Sequence, residues 1–343
     1  MLSPMSETAS SFGMRPIAVL VDREGLGDSL LKFPFLRAIR RGFPGRPVWW
    51  IATHQTSMAN ELAPFVAHLI DRVIDYAGLT GKSPEVRERL KALPSFDLVF
   101  ESRTHIPSVF LARRLLTHNG FYCCLPGYVL SDKRPPGRWT RPDGIAERML
   151  SLADAALGKP GDWQGTLEVS PAARTLAEQR LPGGPRYVGI AIGSREVRKN
   201  WPVDRYIALA QQLEASGRTP VFLIGPQERE LLEKLRAALP SALFPEETPP
   251  DSALGLARLE FAIALCHRLS AAVANDSGIG HLLGAIGTPL VTLFGPTDAK
   301  RWAPFTKAGI IVRSQEFGGD TMDAIPVEPV LRAISRVMAK AQS

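Results

Sequence analysis

Residues 271–298, AAVANDSGIGHLLGAIGTPLVTLFGPTD, carry the densest chemistry in this 343-residue chain. An apolar run ends at Ala274, Asn275-Asp276-Ser277-Gly278 forms a turn, and apolar residues then recur at helical spacing from Ile279 to Ile286. Gly287-Thr288-Pro289 stops that helix, and a second apolar run, Leu290 to Phe294, ends at Gly295-Pro296. Strand, helix, strand is the unit of a parallel sheet, and its loop lies at the carboxyl edge, where open α/β sheets bind ligands. A helix opening with Ser277-Gly278 offers unpaired backbone N–H groups and the positive end of its dipole, which suits a diphosphate. Taken alone, the same four residues more often cap a helix, with His281 packed beneath it.

Three further places could complete a reaction. After an apolar strand at 17–21, the loop Asp22 to Asp28 leads into a helix expected from Ser29 to Arg41. Gly25-Leu26-Gly27 hints at a dinucleotide fingerprint, but Leu30 stands where the third glycine belongs, and the Asp28 carboxylate would repel a pyrophosphate. Asp28 is then either a general base for an incoming hydroxyl or a helix cap. Beyond a strand at 187–192, Gly193-Ser194 opens a loop that ends in Lys199-Asn200-Trp201-Pro202; a loop lysine by itself is usually only solvated. Glu228 follows the turn Gly225-Pro226, where its carboxylate suits either a ribose cis-diol or the start of a helix.

The elements that hold these residues alternate. Strands are expected at 48–52, 72–74, 96–101 and 220–224, with helices at 147–157, 172–180, 204–215 and 261–269, a doubly wound α/β pattern. A linker, GKPGDWQG, spans 158–165. The domains read as a disordered tail at 1–14, a first domain at 15–160, a second at 161–325, and a terminal helix at 326–343 packing back across the junction. Residues 126–143 form a long loop rich in Pro, Lys and Arg, with Tyr128 and Trp139 interleaved, suited to an anionic acceptor or anionic lipid as readily as to plain solvent.

Composition narrows the class. At 45% hydrophobic and 22% charged residues the chain is globular, and no run of about 18 uncharged apolar residues predicts a membrane span. The first dozen residues lack the basic start and apolar stretch of a secretory signal. Three cysteines, two of them adjacent, give neither metal-ligand spacing nor an even disulfide framework, and the expected compartment is a reducing cytosol, extending to the inner face of the cytoplasmic membrane. A net charge of +7 favours an anionic partner. The absence of zinc-finger spacing, RNP-type aromatics or a basic block speaks against nucleic acid.

The segment ANDSGIGHLLGAIGTPLVTLFGPTDAKRW resembles the C-terminal signature of the glycosyltransferase family 9 heptosyltransferases, through Asp276, Ser277, Gly278, His281, Gly284, Ala285, Gly295, Pro296, Thr297 and Asp298. The stretch from Gly25 to Pro34 is similar to the family's acceptor-side Gly-Asp motif, and Lys199-Asn200-Trp201-Pro202 to its K-x-W-P. The resemblance implies a GT-B fold, two Rossmann-like domains facing a cleft, and transfer from an ADP-activated heptose to a lipopolysaccharide-core saccharide or related glycolipid. It implies Asp28 and Lys199 as catalytic, with Ser194, Glu228, Asp276, Ser277, Gly278 and His281 holding the donor. Gly27, Arg103 and His105 are the acceptor-side candidates. Arg103 and His105 lie in Ser102 to Pro107, which departs from the pattern, since Pro107 stands where the family tends to carry a lysine. The expected reaction is a single displacement with inversion, using no metal and no cofactor beyond the nucleotide sugar. The alternatives are a different donor or acceptor, or an inactive nucleotide-binding paralogue.

Overall fold

The computed structural model describes residues 14–184, 186–246 and 257–342. The expected tail, up to residue 13, lies outside them. The chain divides into two compact units, Met1–Gln164 and Gly165–Ser343.

In the first unit β1 (Ile17–Val21) leads to α1 (Leu26–Leu30) and α2 (Phe33–Gly42), then β2 (Val48–Ala52), α3 (Ala63–Val66) and β3 (Arg72–Ile74). There follow α4 (Pro84–Lys91), β4 (Phe96–Glu101), α5 (Ile106–Leu115), β5 (His118–Cys123) and α6 (Ile145–Leu157). The sheet order is β3-β2-β1-β4-β5. All its pairings are parallel, with Leu20 opposite both Ile51 and Glu101. Every residue of β1 and β2 is buried, which is why these strands read as unbroken apolar runs. The helix expected over 29–41 is two helices: Pro34 has no N–H to continue a helical ladder, so the chain turns at Leu31-Lys32 and α2 starts afresh with Pro34 in its first turn.

The second unit runs α7 (Pro171–Arg180), β6 (Tyr187–Ala191), α8 (Val203–Ala215), β7 (Thr219–Leu223), α9 (Leu232–Ala238), α10 (Arg258–Cys266) and β8 (Ala271–Asn275). It closes with α11 (Gly278–Ile286), β9 (Leu290–Phe294), α12 (Ala299–Trp302), β10 (Gly309–Arg313) and α13 (Val327–Gln342). Its parallel sheet has the order β10-β9-β8-β6-β7. The terminal helix α13, expected to pack back across the domain junction, has Val330, Ala333, Ile334 and Val337 buried in the second unit's core. That helix packs on α8, β8, β9 and β10. Among the described residues no helix is long and apolar enough to cross a membrane.

In each sheet the strand order reverses once, between β1 and β4 in the first and between β6 and β8 in the second. Loops leaving adjacent strands on opposite sides of such a point diverge and leave a crevice at the carboxyl edge. Asp28 and Ser102 to His105 follow β1 and β4; Ser194 to Lys199 and Asp276 to Gly278 follow β6 and β8.

Candidate functional site

In the second unit the two loops are locked together from beneath. Asn275, the last residue of β8, donates from Nδ2 to the Ile192 carbonyl at 3.1 Å and accepts from the Tyr206 hydroxyl at 2.7 Å. Trp201 is buried, stands edge-on to Tyr206 at 5.1 Å, and donates to the Ile325 carbonyl at 3.0 Å. Pro202 begins α8 at once. The Lys-Asn-Trp-Pro sequence is therefore an anchor and a helix start, and Lys199 projects from its fixed end.

Lys199 Nζ lies 3.0 Å from Asp276 Oδ2 and 3.2 Å from Glu196 Oε1. Burial acts to lower its pKa, but the hydrogen bond and charge of Asp276, with those of Glu196, outweigh burial and raise it, so the ammonium is fully charged at neutral pH. Asp276 is almost wholly buried, whereas Lys199 is only partly covered. His281, one turn into α11, sits 4.0 Å from Asp276 Oδ1. Burial pushes its pKa down to about 4 against the pull of Asp276, with Lys199 adding to the depression, so the imidazole is neutral. Its Nδ1 is buried without a partner.

The start of α11 is capped by Ser277, whose Oγ accepts from the Gly280 N–H at 3.4 Å. A Cβ added to Gly278 would meet nothing within 4 Å, so the space beside this first residue of α11 is open. At the other end Gly287 adopts φ 89°, a left-handed cap that suits glycine. Glu228 completes the cluster from the 3-10 turn Pro226–Leu231. A Cβ on Gly193 would come within 2.2 Å of its Oε1, and one on Gly225 within 2.7 Å of its Oε2. Two glycines thus make room for this carboxylate where β6 and β7 end. The Ser194 hydroxyl is engaged with the Glu196 carbonyl at 2.6 Å, so it must turn to reach a ligand.

The first unit is built differently. Asp28 is half-buried in the first turn of α1, beside Gly27. Beneath this turn Glu24 is buried, accepts from Trp50 Nε1 at 2.9 Å and Thr56 Oγ1 at 3.0 Å, and is paired with the Lys32 ammonium. Burial acts to lower the Lys32 pKa. Across the crevice in the same unit Glu101 holds Arg103 through Nε at 2.8 Å and Nη2 at 2.5 Å. Arg103 Nη1 donates to the Leu79 carbonyl at 2.8 Å. Burial opposes the Arg103 charge, but Glu101 outweighs it and the pKa rises.

The sequence matches the family described as "Glycosyltransferase family 9 (heptosyltransferase)" over residues 87–323, more than half of the chain. The chain belongs to glycosyltransferase family 9. It is 27% identical over 301 residues to the Lipopolysaccharide heptosyltransferase 1 of Pseudomonas aeruginosa, covering 82% of this chain and 79% of that protein. It is 30% identical over 153 residues to the Lipooligosaccharide heptosyltransferase 2 of Haemophilus influenzae, an overlap of only 43% of either chain. Its fold is similar to that of the Escherichia coli heptosyltransferase WaaC with ADP, at a TM-score of 0.63 and 18% identity over 94% of this chain and 99% of that one. The two Rossmann-like units are those of the GT-B class.

Of the residues this family-9 sequence suggested, Ser194, Lys199, Glu228, Asp276, Ser277, Gly278 and His281 line the ends of β6, β7 and β8 in one unit. Gly27 and Asp28 stand at the end of β1, and His105 caps α5 with its ring 2.8 Å from Ser108 Oγ. Arg103, an acceptor-side candidate, has its guanidinium buried and paired with the Glu101 carboxylate. Reading the sequence missed Glu24, Lys32, Glu101, Glu196, Tyr206 and Asn275. Only Asn275 carried a signal, as a polar residue closing an apolar strand beside Asp276. Among the described residues no three His, Cys, Asp or Glu side chains gather as a metal site would require.

Proposed function

We propose that this family-9 enzyme transfers a heptose from ADP-heptose to a saccharide of a lipopolysaccharide core, by a single inverting displacement that uses no metal ion. The observation that supports it most is the Lys199–Asp276 pair at the open N-terminus of α11, with Glu228 at the neighbouring strand end. The acceptor oxygen attacks the anomeric carbon as the bond from that carbon to the diphosphate oxygen breaks. The acceptor proton passes to Asp28, and the departing ADP carries the new negative charge. That charge grows where Lys199 and the N–H groups at Ser277 and Gly278 can meet it, the role a divalent cation has in other transferases. Asp276 orients sugar hydroxyls, and Glu228 accepts from the ribose diol.

A nucleoside diphosphate replaces Glu196 as the partner of Lys199. Lys199→Ala is therefore expected to weaken ADP binding by about 10–100-fold, as loss of a charge-assisted hydrogen bond does. Calorimetry with ADP checks this, and unchanged affinity would place the diphosphate elsewhere. Asp28→Asn is expected to abolish transfer while leaving ADP affinity intact, read by mass spectrometry of acceptor and product.

A second reading, transfer to a different acceptor, is favoured by one observation: the Arg103 cation is committed to Glu101, and Pro107 supplies none. Contact with an anionic membrane surface is also part of the proposal. It rests on exposed Trp139 beneath the Arg134 guanidinium in the basic loop, with Ile106 and Phe110 exposed one turn apart on α5. The lipid contact is tested by flotation with anionic and neutral vesicles, and a cytoplasmic place for the enzyme by cell fractionation.

A further inference from the structure

Residues 25–31 carry Asp28, and the residues at either end of that segment are joined inside the protein. Glu24 precedes it, buried, with its N–H bonded to the Gln55 carbonyl at 2.9 Å and its carboxylate held by Trp50 and Thr56. Lys32 follows it, closing α1 through its N–H to the Ser29 carbonyl at 3.0 Å and opening α2 through its carbonyl to the Leu36 N–H at 3.0 Å. The Lys32 ammonium returns to the Glu24 carboxylate. Backbone one way and ion pair the other make a closed ring with Asp28 on its rim.

We infer that the Glu24–Lys32 pair is a positioning pair that fixes where Asp28 stands for proton transfer. This rests on the reading of Asp28 as the base. Three observations support it. The half of the segment that carries Asp28 has little local restraint: α1 has five residues, no side-chain cap and an extended Gly25 at its N-cap where a Cβ would meet nothing within 4 Å, and whereas Ser29, Leu30 and Leu31 are buried, Gly25 to Asp28 are not. A buried ion pair is also a poor source of stability, because apolar residues of similar volume often serve as well or better. What it supplies is one permitted geometry, since any slip of the segment strands a charge in the core. Finally, the neighbouring Glu101–Arg103 pair spans two positions and encloses no functional residue, so burying a charge pair in this unit does not of itself require a loop to be tied.

The test compares Glu24→Gln/Lys32→Met, which removes both charges together, with Asp28→Asn. Melting temperature and ADP affinity are measured beside kcat and the donor KM. The neutral pair is expected to fold and bind ADP as the wild type does. Its kcat should fall about 10–100-fold with donor KM unchanged, the penalty of a base displaced by about an ångström. Lys32→Arg keeps a cation on Glu24 and should stay closer to wild type than the neutral pair. A folded neutral pair with wild-type kcat, alongside an inactive Asp28→Asn, would overturn the positioning role and leave Asp28 as the base. A fully active Asp28→Asn would overturn the base itself. If the neutral pair does not fold, Lys32→Arg decides. A wild-type pH profile and kcat in a folded Lys32→Arg support the inference, and a loss of kcat as large as that of Asp28→Asn overturns it.

Discussion

Both units place charged side chains where their strand order reverses, yet they use charge in opposite ways. In the first, Lys32 and Arg103 are buried and each is matched to a buried carboxylate. In the second, Lys199 is only partly covered, and one of its two partners, Glu196, stands largely in solvent. A cation whose partner is mobile and hydrated can exchange it for a ligand at little cost, whereas a cation desolvated against an internal carboxylate cannot. The same residue types at equivalent edges thus have desolvated, internal partners in one unit and a solvent-exposed partner in the other. Exposure of the partner, rather than the identity of the cation, separates them.

The comparison breaks most visibly at Arg103. Arg103→Ala leaves Glu101 buried without its cation, and a stranded partner costs about 3–5 kcal/mol. Urea denaturation should show that loss, with ADP affinity unchanged in the protein that remains folded. A loss within about 1 kcal/mol, the scale of a surface pair, would mean that Arg103 is not structural and would return it to the acceptor candidates.

Legibility in the sequence follows how locally each residue is dictated. Strands β1 to β4 and β6 to β9, the α11 turn and its flanking motifs were readable on that ground: Ser277 caps, Gly287 ends the helix in a left-handed conformation, Trp201 and Pro202 anchor and start. Strands β5 and β10 were not, since HNGFYC and GIIVR show neither clean alternation nor a long apolar run. The Arg103 ion pair was not legible because its partner, two residues back in β4, reads as the last residue of a strand. Only register shows that Glu101 faces into the unit beside Leu20. Glu24, Lys32, Trp50 and Thr56 are spread over more than thirty positions, and no periodicity links them. The charges proposed to meet a ligand lie near turn motifs, whereas the buried ion pairs are defined by tertiary pairing alone.

His281 gives a smaller effect with a definite sign. Its folded pKa of about 4 lies below the ordinary 6.5, so between those values the unfolded chain binds a proton that the native state refuses. Stability then rises with pH across that window, is complete above about 6.5, and is lost progressively as pH falls toward about 4. The contribution is on the order of 3 kcal/mol. His281→Gln should flatten the stability profile over that range, measured by denaturant titration at several pH values. An unchanged slope would assign the acid sensitivity to other groups and weaken the picture of a dry, neutral floor beneath Asp276.

The smallest effect separates the cap from the cation. Ser277→Ala removes the side-chain acceptor of the Gly280 N–H, a long bond at 3.4 Å, so the loss should sit near the low end of the usual range, about 0.5–1 kcal/mol. The helix itself persists, because Leu282, Leu283, Ala285 and Ile286 are buried and Gly287 still ends it. The backbone N–H groups that would meet a diphosphate stay in place. ADP affinity should therefore change far less than in Lys199→Ala, by no more than about threefold, a fraction of one ordinary hydrogen bond. If Ser277→Ala weakened ADP as severely as Lys199→Ala, the serine hydroxyl would share the charge equally. The contrast between the units would then rest on the helix terminus as much as on the exchangeable partner of one lysine.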